Sequence, residues 1–256
     1  MPVGKPKAIL VLSHGMGEHS GRYTHVAQYM TGSGYAVWGC DHRGHGRSGG
    51  KRGHVDNFND YVADINQMIR IAKERTPDSK TFLLGHSLGG LIALNYAEKH
   101  GDQLAGLVVT SPGLKAKIEI SPARAVIIRI VSKIAPSLSI RTGLDANLIS
   151  RDKEVVSKYV KDPLVHRVAT MRFVTEFLGA QDETVRAAER LTVPCLILQA
   201  GADGLVDPVA TSSFFKKVAS PDKILKVYEG FYHEVLNEPG KGSVLGEIDT
   251  WLSARI

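Results

Sequence analysis

The sequence predicts an α/β fold in which helices cover both faces of a mostly parallel sheet, interrupted by one helical insert. Short, continuous apolar runs alternate along the chain with stretches whose apolar residues recur at steps of three and four. Such runs are typical of parallel strands that crossover helices bury on both faces. The alternation stops between residues 112 and 190 and then resumes. A chain of 256 residues is long enough for one large domain of this kind.

The N-terminal half contains four predicted strands and two predicted helices. The strands are predicted at residues 8–12, 35–38, 81–84 and 104–110. One helix is predicted over residues 58–72, which place their apolar side chains on one face, with Asn57 as its cap. The other spans residues 88–100, directly after the third strand. We expect right-handed crossover connections between these strands.

Residues 112–190 show helical periods at 125–134 and 172–178 but no convincing strand. This pattern indicates an all-helical insert within the α/β frame. Beyond it, the predicted elements are a strand at 193–199, a helix at 208–218, a strand at 224–228 and a helix at 242–252. The predicted core therefore comprises residues 1–111 and 191–256.

The composition is that of a folded protein, with 43% apolar and 23% charged residues. No apolar run approaches the roughly 18 residues that span a bilayer. The polar start at residues 1–7 lacks a small-residue cleavage site, so we expect no signal peptide. Cys40 and Cys195 lie in apolar runs, which favours buried free thiols over a disulfide. The expected compartment is the cytoplasm.

The segment Gly85-His86-Ser87-Leu88-Gly89 has the pattern G-x-S-x-G and lies between a predicted strand and a predicted helix. A nucleophile elbow needs this strand-turn-helix context, because the sharp turn lifts the serine hydroxyl clear of the sheet. The flanking glycines let neighbouring backbone approach the turn closely. The alternative is a glycine-rich turn with an incidental serine. The context favours Ser87 as a catalytic nucleophile.

A serine hydroxyl needs an adjacent base, and the chain contains ten histidines. In folds with this elbow the nucleophile, acid and base follow one another along the chain. Asp203 lies just beyond the strand predicted at 193–199, and His233 lies just beyond the strand at 224–228. Both loops open at the carboxyl edge of the sheet, where Ser87 projects. We therefore predict a Ser87, Asp203 and His233 triad.

Asp207 is a rival acid, although an aspartate before Pro208 is also a favoured helix cap. The rival bases are His42, His45 and His54. They precede the nucleophile along the chain, which argues against a place in the triad. We expect His42 and His45 to shape, with Asp41, a turn that supports the site.

The segment His14-Gly15-Met16-Gly17 follows the first predicted strand. Acyl transfer needs backbone N–H groups aimed at the developing oxyanion. We predict that Leu88, which follows the nucleophile, provides one of these groups and that Met16 provides the other. An ordinary glycine-rich turn is the alternative. This chemistry requires no cofactor and no metal ion.

Three segments stand out: His14-Gly15-Met16-Gly17-Glu18-His19-Ser20-Gly21-Arg22-Tyr23, Asp41-His42-Arg43-Gly44-His45-Gly46-Arg47-Ser48 and Gly85-His86-Ser87-Leu88-Gly89-Gly90. Taken together, they resemble monoacylglycerol lipases of the α/β-hydrolase fold. The first is the most specific, whereas the third alone fits many hydrolases. The likeness extends over nearly the whole chain and is weakest at residues 115–139.

The resemblance implies a cap, residues 112–190, over the active site and a substrate of glycerol carrying one acyl chain. It also implies that Glu18, Arg22 and the cap residue Tyr159 lie near the polar head of this lipid ester. Some members of the family carry a second histidine shortly after the catalytic one, whereas the run after His233 here has none. A broader carboxylesterase or a lysophospholipase would use the same triad.

Most of the net charge of +6 lies in the insert, which has 14 Lys and Arg against 9 Asp and Glu and so carries +5. Its first half interleaves the cations Lys115, Lys117, Arg124, Arg129 and Lys133 with the apolar residues Ile118, Ile120, Val126, Ile127, Ile128 and Ile130. This pattern suits docking on an anionic lipid layer, or a solvated face that aids solubility. The apolar side chains at 123–131 either line an acyl tunnel or pack on the core.

Other functional classes fit less well. Epoxide hydrolases and dehalogenases of the same fold place an aspartate at the elbow, where this chain has Ser87. A binding protein without activity would be expected to have lost a triad residue. A nucleic-acid binder would combine clustered basic residues with a reading element or an aromatic platform, and the sequence contains neither.

Overall fold

The structure, a computed structural model, describes residue 2, residues 4–117 and residues 121–256. The positions of Met1 and Val3 in the predicted N-terminal segment, and of Ile118 and Ile120 in the predicted docking surface, lie outside these described residues. No helix in the described ranges is both long and apolar enough to cross a membrane.

Six parallel strands form the central sheet in the order β2-β1-β3-β4-β7-β8. Their bounds are β1 Ile9–Ser13, β2 Ala36–Gly39, β3 Thr81–His86, β4 Gly106–Thr110, β7 Cys195–Ala200 and β8 Lys223–Tyr228. The α/β-hydrolase fold predicted from the sequence is confirmed, and each predicted strand overlaps an observed one. The strands are continuous apolar runs because both faces of the sheet are covered.

Alternate residues of each strand enter two separate hydrophobic cores. In β1, Ile9 and Val11 pack on one side of the sheet, while Leu10 and Leu12 pack on the other. The helices that cover the sheet are α1 Thr24–Gly32, α2 Asn59–Arg75, α3 Leu88–His100, α7 Pro208–Lys217 and α8 Lys241–Ser253. The first core takes side chains from α2, α3 and α7, and the second takes them from α1 and α8. The sheet is thus a rigid layer whose carboxyl edge holds the loops described below.

In its described residues, the insert between β4 and β7 contains three α-helices and a two-stranded antiparallel ribbon. The helices are α4 Pro122–Ile134, α5 Lys153–Lys161 and α6 Met171–Ala187, and the strands are β5 Ser139–Arg141 and β6 Val168–Thr170. The prediction of an all-helical insert was therefore wrong. Each strand has only three residues, which is too short for a recognisable alternation of apolar and polar side chains. The helix α6 packs on α3 and buries Phe173 and Ala180 in the first core.

The ribbon side of the insert is anchored to the core through backbone hydrogen bonds. Thr170 donates its N–H to the carbonyl of Gly53, and His166 donates to the carbonyl of Gly17, each at 2.8 Å. Gly53 has a φ of +64°, and a Cβ there would overlap the Val168 carbonyl oxygen, so only glycine fits. These contacts fix the insert above the loop that follows β1.

Candidate active site

Ser87 occupies a sharp turn between β3 and α3. Its backbone has a φ of 53° and a ψ of −115°, which few residues other than glycine adopt. Gly85 and Gly89 make this turn sterically feasible, because a Cβ on either would overlap a carbonyl oxygen, that of Gly89 or of Ser13 respectively. The Ser87 side chain makes no capping hydrogen bond to α3. Ser87 is half-buried and forms part of a cavity wall.

Asp203 and His233 meet at the carboxyl edge of the sheet, on the loops after β7 and β8. The Oδ2 atom of Asp203 lies 2.7 Å from Nδ1 of His233, and both side chains are buried. Its Oδ1 atom accepts hydrogen bonds from the amides of Leu205 and Val206 at 2.9 and 3.0 Å. The structure thus brings the predicted acid and base into direct contact, and His233 lines the same cavity as Ser87.

The pKa values of this pair move apart in the directions that an ion pair favours. Burial raises the pKa of Asp203, but the charge of His233 and the hydrogen bonds to the carboxylate hold that pKa below its ordinary value. Burial alone would lower the pKa of His233, but the charge of Asp203 and the hydrogen bond to it raise this pKa above 6.5. The carboxylate therefore stabilises the cationic imidazole.

Asp207, the rival acid, caps α7. Its Oδ1 atom accepts a hydrogen bond from the amide of Val209 at 3.0 Å, and Lys115 approaches its Oδ2 atom to 3.1 Å. The capping role expected from the sequence is confirmed. The carboxylate thereby satisfies an amide at the start of the helix that would otherwise lack a partner.

The rival bases also have other partners. His42 contacts the Ser13 hydroxyl at 3.1 Å, and its ring lies tilted against that of His14 with 4.1 Å between the ring centres, while His45 contacts the sulfur of Met16 at 3.4 Å. Burial lowers the pKa of His14 and of His45 to about 3, so these rings stay neutral. His54 instead contacts the hydroxyl of Thr170 in the insert at 2.8 Å. His42 and His45 thus contact residues at the end of β1 and in the loop that follows it. In the described ranges, no group of three or more His, Cys, Asp or Glu side chains is arranged to hold a metal ion.

Met16 and Leu88 both line the cavity beside Ser87. Leu88 is the first residue of α3, so its amide lacks an acceptor within the helix. The loop that contains Met16 is held by Glu18, whose Oε1 atom accepts hydrogen bonds from the Gly15 amide and the Tyr23 hydroxyl, each at 2.6 Å. Both predicted oxyanion donors thus lie at the site.

The three predicted head-group residues form one buried network. Arg22 binds the carboxylate of Glu18, and its guanidinium lies 4.7 Å from the ring centre of Tyr159. Glu18 and Tyr159 line the cavity, whereas Arg22 lies behind them. Sequence reasoning missed Glu234, which also lines the cavity and accepts two 2.7 Å hydrogen bonds from Arg22. The sequence did contain a signal for this residue, because Glu234 is an acidic residue that directly follows the predicted base, His233.

The cavity has a volume of about 1030 Å³ and combines an apolar wall with a polar end. The apolar wall includes Leu144, Ile149, Phe173, Val174, Phe177 and Leu178. Ile128 of α4 lines it too, whereas Val126, Ile127 and Ile130 are at least half exposed on that helix. Of the apolar side chains at 123–131, that of Ile128 therefore faces the cavity. Such a cavity suits a ligand with one apolar and one polar part.

Comparison with known proteins gives the chain its family. The family model described as Hydrolase_4, serine aminopeptidase S33, matches residues 4–240. A monoacylglycerol lipase of Mycolicibacterium smegmatis is 36% identical over 256 residues, which cover 100% of this chain and 91% of that protein. A phospholipase of Bacillus subtilis is 34% identical over 242 residues, or 94% of this chain and 93% of that protein. The crystal structure of Paleococcus ferrophilus monoacylglycerol lipase superposes with a TM-score of 0.92 at 33% identity, covering 99% of this chain and 97% of that one. The chain therefore belongs to the serine aminopeptidase S33 family of α/β-hydrolases, alongside these monoacylglycerol lipases, and it is a serine ester hydrolase.

Proposed function

We propose that the chain hydrolyses monoacylglycerols to glycerol and a free fatty acid, with Ser87, Asp203 and His233 as its catalytic triad. The observation that carries this proposal is the 2.7 Å contact between Asp203 and His233 beside a cavity that Ser87 also lines. The similar monoacylglycerol lipases support the choice of substrate.

The first half of the reaction transfers the acyl group to the enzyme. His233 takes the proton of the Ser87 hydroxyl while the oxygen attacks the ester carbonyl, and Asp203 stabilises the cationic imidazole. The backbone N–H groups of Met16 and Leu88 donate to the oxyanion. When the tetrahedral intermediate collapses, the C–O bond to glycerol breaks and the leaving oxygen takes the proton from His233.

The second half regenerates the enzyme. A water molecule gives a proton to His233 and attacks the carbonyl carbon of the acyl-enzyme. The second tetrahedral intermediate collapses, the bond to the Ser87 oxygen breaks, and that oxygen recovers the proton from His233. The product is a free fatty acid.

The two ends of the cavity suit the two parts of this substrate. The apolar wall below α4 and α6 would take the acyl chain. The polar end at Glu18 and Tyr159 would take the glycerol hydroxyls, with Arg22 holding Glu18 in place. The cap that closes this cavity comprises residues 112–190 in our proposal. Its steric closure excludes esters with two or three acyl chains.

We also propose that the cap docks on an anionic lipid surface, while the protein otherwise resides in the cytoplasm. The exposed apolar residues of α4 are Val126, Ile127, Ile130 and Ile134, with exposed fractions of 52% to 80%. Arg124, which is exposed and lines the cavity, places positive charge beside this stripe. Exposed apolar side chains weigh against a purely solvated face. Their position beside the cavity favours delivery of a membrane-borne substrate.

A substrate panel tests the proposed reaction. Initial rates are compared on mono-, di- and trioleoylglycerol, on a simple carboxylic ester and on a lysophospholipid. We expect kcat/KM to be highest for the monoacylglycerol. A higher value for the lysophospholipid would assign the chain to the lysophospholipases, and comparable rates on mono- and triacylglycerols would contradict the closed cap.

A further inference from the structure

The end of the cavity beside His233 carries more negative than positive charge. Glu18 and Glu234 both line this end and are 2% and 4% exposed. Arg22 contacts both carboxylates, so a single guanidinium is shared between two acidic groups. Asp203, in contact with His233, adds a third carboxylate.

Apart from Arg22 and His233, the hydrogen-bond partners of these three carboxylates are neutral. Tyr23 donates its hydroxyl to Glu18, and Asn237 donates its side-chain amide to Glu234 at 2.9 Å. Burial raises the pKa of Tyr159 to about 12 and lowers that of His86 to about 3, so both remain uncharged near neutral pH. Three carboxylates thus face one guanidinium and the imidazole of His233. The net charge is negative whether or not that imidazole is protonated.

A nearby cation does not remove this excess. Lys117 donates to the backbone carbonyl of Asp203 at 2.5 Å rather than to a carboxylate. It is an exposed residue, so water and salt screen its charge. Glu18, Glu234 and Asp203 are buried, where charges interact with less screening.

The alcohol part of the ester must lie at this negative end. His233 has to reach the leaving oxygen to return its proton, and Glu234 is the next residue of the chain. The apolar wall on α6 takes the acyl chain, which leaves the alcohol beside Glu18 and Glu234.

We propose that Glu234, acting with Glu18, is a specificity-determining residue that admits neutral or cationic alcohol groups and rejects those that carry a phosphate. This inference rests on the proposed function. Placing a phosphate against two buried carboxylates that share one arginine is unfavourable, since like charges in contact oppose binding. A glycerol hydroxyl, in contrast, donates to a carboxylate.

The proposed discrimination against phosphate-bearing alcohol groups acts at the buried end of the cavity, beside Glu18 and Glu234, and not at its opening. The exposed charged residues of the cavity wall are Lys115, Arg124, Arg141 and Asp145, which give the opening a positive balance. An anionic lipid is therefore attracted to the opening, and only the buried end can reject its head group.

Three octanoyl esters test the proposal, each assayed below its critical micelle concentration. Their alcohol parts are glycerol, choline and glycerol 3-phosphate, which are neutral, cationic and anionic. For the wild type we expect kcat/KM on the phosphate ester to be about tenfold or more below that on the glycerol ester. In Glu234→Gln we expect the phosphate-to-glycerol ratio to rise about tenfold and the choline-to-glycerol ratio to fall.

Glu238→Gln is the matched control. Glu238 is also buried and pairs with an arginine, Arg151 at 2.5 Å, but it lies outside the cavity wall. Its variant should keep the wild-type ranking of the three esters. Equal kcat/KM of the wild type on the phosphate and glycerol esters would overturn the proposal even if Glu234→Gln failed to fold. Failure of the wild type to hydrolyse octanoyl glycerol at all would instead contradict the proposed function.

Discussion

The carboxylate of Asp203 accepts a 2.7 Å hydrogen bond from Nδ1 of His233, while its other oxygen accepts hydrogen bonds from two backbone amides. These three contacts orient the carboxylate. Its negative charge beside Nδ1 favours the cationic form of the His233 imidazole. In Asp203→Asn the amide cannot stabilise that cation and favours the wrong tautomer of His233. We expect kcat to fall by about 10⁴-fold, measured by steady-state hydrolysis of a short-chain monoacylglycerol.

Asp207→Asn is the control for this prediction. Asparagine also caps helices well, so the variant should keep its turnover and lose less than about 1 kcal/mol of stability. The reverse ranking of the two variants would assign the acid to Asp207.

The glycine at position 17 supports the predicted oxyanion donor at Met16. Gly17 has a φ of +74°, and a Cβ there would overlap the carbonyl oxygen of His166 in the cap. Gly17→Ala should therefore displace the loop and lower kcat by roughly 10²-fold, the usual loss for one oxyanion donor. Gly32→Ala is the control, because Gly32 ends α1 and has open space around it. Unchanged kcat in Gly17→Ala would mean that this loop does not serve the oxyanion.

The acidic side chain of Glu98 predicts a pH-dependent loss of stability. Neither of its oxygens has a hydrogen-bond partner among the described residues, and it lies on α3 near Glu183. Burial, with a contribution from Glu183, raises its pKa from 4.5 to about 8. Between pH 4.5 and about 8, the folded state holds a proton on Glu98 that the unfolded state has released. The free energy of unfolding therefore falls as the pH rises through this range.

Glu98→Gln removes this penalty. We expect the stability difference between the variant and the wild type to be small near pH 5 and to grow to at most about 5 kcal/mol above pH 8, because the rise from 4.5 to about 8 is about 3.5 pKa units and each unit is worth about 1.4 kcal/mol. Thermal unfolding at pH 5, 7 and 9 measures the difference. Glu74→Gln, at an exposed position of α2, should show no such trend. A constant difference between Glu98→Gln and the wild type across this range would refute the assignment.

The basic cap predicts salt-sensitive binding to anionic membranes. Charge reversal of Lys115, Lys117 and Arg124 to glutamate should weaken sedimentation with phosphatidylserine vesicles by on the order of 100-fold, at about 1 kcal/mol per cation. Reversal of Lys51, Lys216 and Lys217, exposed residues outside the insert, changes the net charge equally and should have less effect. Equal binding to neutral and anionic vesicles, or none to either at low salt, would leave the basic residues with a role in solubility.

The sequence predicted the elements whose pattern is long and regular. The bounds predicted for α3, residues 88–100, coincide with the observed Leu88–His100, because a motif and a continuous apolar face both mark them. The strands β5 and β6 escaped prediction because three-residue strands have no periodicity, and their pairing joins residues that lie far apart in the chain. The short helices α1 and α5 were likewise missed. Each has only nine residues, and α5 has only two buried side chains.

Only part of the arrangement of the candidate site could be predicted from the sequence. Asp203 and His233 follow strands at one sheet edge, so chain order and topology predicted their meeting. Arg22 and Glu234 lie near opposite ends of the chain, and their pairing depends on where their side chains point in the folded structure. A pattern along the sequence does not contain this information.

Reaction of Ser87 with an active-site-directed organophosphonate tests the central claim most directly. The wild type should become covalently labelled at Ser87, as located by peptide mass spectrometry, and lose hydrolysis of monoacylglycerol in step with labelling. Ser87→Ala should neither be labelled nor hydrolyse the ester, while its circular dichroism and thermal unfolding remain those of a folded chain. A folded Ser87→Ala variant that kept most of the wild-type activity would contradict the account.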